Sequence, residues 1–134
     1  MNKGILENER TKKIGLVKDY DKSQSVNSFI VNGDLAWLDK ASRVGLINSL
    51  QIEKAAGRSE ATLWFNNIAY SLNIDDALKI ISVIELYAVD CFNATETHIK
   101  NINALDDLNR VYNYNYTKGY PKRLRFELTP KREG

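Results

Sequence analysis

The chain has 134 residues, of which 43% are hydrophobic and 27% charged, with a net charge of +2. A chain of this length suits one globular domain and can bury about two thirds of its unfolded surface without a covalent staple. Its single cysteine, Cys91, excludes an internal disulfide, and no apolar run approaches the roughly 18 residues that a membrane span requires.

Charge is unevenly placed. Residues 1–22 hold six Lys/Arg and four acids, residues 118–134 hold six and two, and the middle holds seven and eleven. The ends are therefore +2 and +4 and the middle is −4. Basic ends of this kind can contact nucleic acid, a membrane surface or the acidic middle of a neighbouring copy. Solubilising charge explains them equally well, so neither nucleic acid nor membrane is the expected partner.

Residues 1–22 alternate charge with little periodicity and read as a flexible charged N-terminal arm. Ile14-Gly15-Leu16-Val17 is a short apolar island within it, read as one edge strand. Met1–Lys13 is polar throughout, so no signal peptide is expected. A globular core is expected over 23–117 and a basic C-terminal tail with a strand over 118–134.

The core opens on a hairpin signal, Asn32-Gly33 between apolar runs. A three-residue loop, Asn32-Gly33-Asp34, gathers Phe29, Val31, Leu35 and Trp37 on one face and is preferred. A two-residue turn gathers Ile30, Leu35 and Trp37 instead. Asp39 suits the N-cap of a helix over 40–56, with Val44, Ile47 and Leu50 inward and Lys40, Arg43, Glu53 and Lys54 largely outside that stripe. Gly57 stops it, and Gly45 suggests close approach to another element. A second hairpin turns at Asn66-Asn67, which pairs Leu63 with Tyr70 and Phe65 with Ile68 and leaves Trp64 on the thinner face.

From Asp75 to about Ile102 there is neither Gly nor Pro. Ile74, Ala77, Leu78, Ile81, Ile84, Ala88, Cys91 and Phe92 recur at helical spacing, and a long central helix follows. Ile80, Val83, Leu86, Tyr87 and Val89 widen its apolar arc, as a core helix or a subunit interface would require. Asn73 or Asp75 can cap it. A short helix is expected at 105–112, with Leu105, Leu108 and Val111 or Tyr112 inward. Gly119 and Pro121 punctuate the chain, and Leu124-Arg125-Phe126-Glu127-Leu128 alternates as a half-buried strand does. That strand is expected to join a sheet edge, its own or a neighbour's. The fold class is α+β: two β-hairpins packed on a long central helix and a second shorter helix, with extended terminal arms.

The chemical inventory is thin. The one histidine, His98, lies seven residues from Cys91, about 10 Å along a helix, too far for a nucleophile pair or shared metal ligation. Asp75-Asp76 and Asp106-Asp107 sit at expected helix starts, where acids stabilise the dipole. Glu85, Asp90 and Glu96 share no tight face. Tyr112, Tyr114, Tyr116 and Tyr120 could stack sugars or bases, although such residues more often pack on a sheet. No phosphate loop, dinucleotide fingerprint or zinc spacing occurs. No catalytic, cofactor-binding or metal residue is assigned, and no enzymatic activity is expected.

Six segments taken in order resemble a bacteriophage family catalogued as a domain of unknown function, whose members occur in phage tail and tail-fibre regions. They are Val26–Gly33, Trp37–Leu46, Glu53–Gly57, Thr62–Phe65, Glu85–Ala88 and Tyr116–Pro121. The resemblance covers about 26–121. It implies a virion structural or fibre-associated role and supplies no catalytic residue. A small adaptor or decoration subunit of tail, baseplate or fibre is the form expected, located in the virion and homo-oligomeric, with other virion proteins as partners. The candidate interface is Tyr120, Pro121, Leu124, Arg125, Phe126, Leu128 and Trp64, with the terminal arms docking on adjacent subunits. The alternatives are a nucleic-acid-binding or regulatory protein using Lys122, Arg123, Arg125, Lys131 and Arg132, and a glycan-binding module using Trp64 and the tyrosines.

Overall fold

The computed structural model describes residues 3–131. Their elements run α1 (Lys3–Asp21), β1 (Ser28–Val31), β2 (Asp34–Trp37), α2 (Lys40–Ala55), β3 (Glu60–Phe65), β4 (Ile68–Asn73), α3 (Ile74–Ala104), α4 (Leu108–Tyr112) and β5 (Arg125–Phe126). The architecture is α+β, with a long helix and two small sheets. One sheet has the order β2-β1-β5 and the other is the pair β3-β4. Packing divides the chain into two units. The first joins the residues up to Asn27 with Val89–Lys122, and the second joins Ser28–Ala88 with the segment from Arg123.

In the second unit, β1 and β2 pair antiparallel with Val31 opposite Asp34 and Phe29 opposite Ala36. The turn is therefore the two residues Asn32-Gly33, at φ 49° and 85°. Positive φ at both positions is what a type I′ turn needs, and its twist matches the strands it joins. The three-residue loop preferred from the sequence does not form. Phe29, Val31 and Ala36 are buried, whereas Trp37 lies on the opposite face and is largely exposed. The second hairpin follows its expected register, Leu63 opposite Tyr70 and Phe65 opposite Ile68. Asn66 and Asn67 both take positive φ, and the Asn66 side chain donates to the Leu35 carbonyl at 3.1 Å, tying the two hairpins.

Helix α2 starts where Asp39 accepts the Ser42 N–H at 2.7 Å and ends before Gly57 at φ 88°. Its inward stripe is Arg43, Leu46, Ile47 and Leu50, rotated from the expected one, so that Val44 is exposed and Arg43 buried. Gly45 marks no close approach, since a Cβ there would meet nothing within 4 Å. Both hairpins and α2 pack on the first half of α3 through Ile74, Ala77, Ile81 and Ile84. Each such large aliphatic side chain contributes about 1.5–3 kcal/mol on burial. Asn73 is the α3 cap: its Oδ1 accepts the Asp75 and Asp76 N–H groups at 2.9 and 3.4 Å.

In the first unit, the residues expected to be an arm with an edge strand form α1 instead. Val17 is buried with Ile102 of α3 and Val111 of α4, and Leu6, Ile14, Leu105 and Tyr114 close around them. Charged residues hold α1 too, through hydrogen bonds to backbone carbonyls. The Arg10 guanidinium donates to the Leu105 carbonyl, and Lys13 Nζ donates to the Tyr112 carbonyl at 2.9 Å. Helix α4 is capped by Asp107, whose Oδ1 accepts the Asn109 N–H at 2.8 Å. Val111 is its inward residue, while Tyr112 points to solvent. On α3, Val89 and Phe92 are exposed, so Phe92 is not the core residue its spacing suggests.

Candidate functional site

The expected interface residues fall in three different settings. The C-terminal strand is part of its own sheet: β5 pairs parallel with β1, Ile30 opposite Arg125 and Val31 opposite Phe126. The Ile30 N–H donates to the Leu124 carbonyl and the Asn32 N–H to the Phe126 carbonyl, both at 2.9 Å. Leu124, Phe126 and Leu128 pack against the core of the second unit, with Phe126 meeting Phe29 edge-on at 6.0 Å. Arg125 points outward. The segment then reaches the other hairpin, where Pro130 bridges Tyr70 and the Lys131 N–H donates to the Ala69 carbonyl at 2.8 Å. Of the two sheet edges expected for this strand, it joins its own, and the segment is a strap over both hairpins. Arg132 lies outside the described residues.

Asn32 organises this docking, and no sequence motif pointed to that role. Its backbone serves the turn and the ladder together. Its side-chain amide holds Leu128 twice, Nδ2 donating to the Leu128 carbonyl at 2.8 Å and Oδ1 accepting the Leu128 N–H at 2.7 Å. The hairpin signal at Asn32-Gly33 was legible, but the second use of the amide depends on a segment about 96 positions away.

Trp64 stands 65% exposed on β3. It shares its sheet face with Thr62, Ala69 and Ser71, as strand alternation requires. Small neighbours leave the indole uncovered, so the thin face foreseen from the pattern is open in the structure.

Tyr120 and Pro121 belong to the first unit, where they are half-buried. The Thr95 hydroxyl donates to Asp21 Oδ1 at 2.9 Å, so the Tyr120 hydroxyl, 2.7 Å from Thr95 Oγ1, is the donor in that pair. Burial pushes the Tyr120 phenol above its ordinary pKa, and the nearby Asp21 carboxylate and Tyr20 add to the shift. His98 is also buried and has partners on both ring nitrogens. The Lys118 carbonyl, 2.6 Å from Nε2, can only accept, so Nε2 carries a proton and donates to it, and Nδ1 lies 2.6 Å from the Tyr114 hydroxyl. These bonds fasten the tyrosine-rich loop to α3. They also engage the hydroxyls and rings of Tyr114 and Tyr120, which pack against His98 at centroid distances of 5.5 and 5.6 Å.

One further charged group was missed from the sequence. Glu85 receives Lys40 Nζ on Oε1 and Arg43 Nε on Oε2, each at 2.5 Å, and Arg43 Nη1 also donates to the Leu38 carbonyl at 2.6 Å. Burial alone would raise the Glu85 carboxyl, but the two cations outweigh it and hold the group below the usual carboxylate range. The signal available was the helical spacing that carries Arg43 into line with Leu46, Ile47 and Leu50. Among the described residues no three His, Cys, Asp or Glu side chains gather in a metal-holding group. Nor is any helix of those residues long and apolar enough to cross a membrane.

Comparison with protein-family models, with curated proteins and with solved structures returns no match for this chain.

Proposed function

We propose that this chain is a non-enzymatic structural subunit of a bacteriophage virion, an adaptor or decoration protein of tail, baseplate or fibre that works by holding other proteins. The motif order supports the virion setting, and exposed Trp64 carries the assembly reading. A tryptophan on an open sheet face has both the area and the rigidity of a protein–protein anchor. Covering a large apolar side chain is worth about 1.5–3 kcal/mol. Val89 and Phe92, both exposed on α3 in the first unit, are consistent with the same reading.

The test is complementation of a phage from which this chain has been deleted. Wild-type chain and Trp64→Phe should restore complete particles in electron micrographs, and Trp64→Ser should not. Complete, infectious particles formed without the chain would contradict the proposal.

A further inference from the structure

We propose that Asn32-Gly33 is a site of spontaneous deamidation, and that its conversion breaks the clamp on Leu128 and loosens the strap. The inference is independent of the assembly reading above and concerns a covalent change that the chain undergoes in water alone.

An asparagine followed by glycine is the pair in which a backbone nitrogen reaches the side-chain amide most easily, because glycine has no Cβ to crowd the approach. Asn32-Gly33 is the one such pair in the sequence. Both residues are exposed, and a Cβ built on Gly33 would meet nothing within 4 Å, so water and space are at hand. The Gly33 nitrogen attacks Asn32 Cγ and closes a cyclic imide. The Cγ–Nδ2 bond breaks, and the proton given up by the Gly33 nitrogen leaves with Nδ2 as ammonia. Water then opens the ring at either carbonyl, giving aspartate or isoaspartate. The second turn is the internal comparison. Asn66 and Asn67 are also exposed and at positive φ, but they are followed by Asn67 and Ile68, whose side chains crowd the attacking nitrogen.

The clamp governs both the rate and the outcome. In the folded chain Nδ2 donates to the Leu128 carbonyl at 2.8 Å and Oδ1 accepts the Leu128 N–H at 2.7 Å. The amide must leave both before it turns to Gly33. Two hydrogen bonds of ordinary strength hold such a swing back by roughly ten- to a hundredfold and do not abolish it. After conversion to aspartate the side chain accepts only. One carboxylate oxygen still receives the Leu128 N–H, but the other stands where a donor stood and faces the Leu128 carbonyl. That carbonyl loses its partner and meets a negative charge instead. Isoaspartate does more, because it puts an extra carbon into the main chain of a two-residue turn whose dihedrals set the strand pairing. The position-32 N–H that serves the Phe126 carbonyl then falls out of line with it. Either product weakens the docking of the strap from the turn side.

The full chain is aged in warm neutral buffer made with heavy-oxygen water, natively and in urea, and mapped by peptide mass spectrometry. Heavy oxygen should enter position 32 ahead of positions 66 and 67, with isoaspartate among the products, and should enter faster in urea by the factor above. The natively aged chain is then treated briefly with trypsin, which cuts after Arg125 in the open form of the strap. Cleavage there should be about two- to tenfold faster in the converted chain, as the loss of one hydrogen bond implies. Freshly made Asn32→Asp should match the aspartate product, and Asn32→Gly, which has no amide, should not change on ageing. Native uptake at position 32 no faster than at 66 and 67 would overturn the site. Uptake with unchanged cleavage after Arg125 would overturn the loosening of the strap.

Discussion

Asn32 holds Leu128 by both ends of its side-chain amide, donating to the carbonyl at 2.8 Å and accepting the N–H at 2.7 Å. One turn residue thereby fixes the register of a strand that arrives from the far end of the chain. Each such hydrogen bond is worth about 0.5–1.5 kcal/mol net, and placing Ala at positive φ costs about 1–2 kcal/mol more. Asn32→Ala should therefore destabilise the protein by about 2–5 kcal/mol, read as a lower urea midpoint. Asn32→Gly keeps the turn and loses only the clamp, so its midpoint should fall between the two.

Glu85 sets an acid limit on stability. Its folded pKa is lowered from 4.5, so the group contributes stability above that value and loses it as pH falls through the folded value. Glu85→Gln should flatten the acid side of a thermal-unfolding profile. Arg43→Met should lower stability near neutral pH by about 1.5–3 kcal/mol, because the carboxylate loses a charged partner on a mostly buried guanidinium. Equal acid limbs in wild type and Glu85→Gln would refute this role.

Tyr120 sets the opposite limit. Its folded pKa is raised above 10.0, so its contribution is fully present below that pH and is lost as pH rises through the folded value. Tyr120→Phe should cost about 0.5–1.5 kcal/mol at neutral pH through the lost bond to Thr95. It should also remove the alkaline decline, which unfolding curves recorded on either side of pH 10 would reveal.

Asn66 and Asn67 share a turn but are not equivalent. Asn66 uses its side chain on the Leu35 carbonyl, whereas Asn67 at φ 65° meets only the conformational demand. Asn67→Gly should stabilise the chain by a few tenths of a kcal/mol to about 1 kcal/mol, since glycine takes positive φ without steric penalty. Asn66→Gly should gain less or lose, and paired urea titrations would separate the two.

These sites also show where the sequence was readable. The second hairpin was legible because its turn and its alternation specify the same register. The first was misread because a three-residue loop gathers Phe29, Val31, Leu35 and Trp37 on one face, more apolar bulk than the two-residue turn collects. The seat for Phe29, Val31 and Ala36 is filled by Phe65, Phe126 and α3, so the two-residue turn wins and Trp37 faces out. Helix α1 was hidden because its inward stripe uses Arg10 and Lys13, whose apolar stems and donor heads do the work of aliphatic residues there. Arg43 escaped notice for the same reason. Of the candidate interface, Trp64 was visible from alternation alone, whereas the docking of Leu124, Phe126 and Leu128 on their own sheet depends on Asn32 and on tertiary structure.

The most direct test of the virion role is the copy number of this chain in purified phage particles, measured by quantitative peptide mass spectrometry against a known capsid or tail protein. A structural subunit should be present at a fixed, symmetry-compatible number per particle that survives high-salt washing. Absence from washed particles, with the chain recovered free from the infected cell, would contradict it.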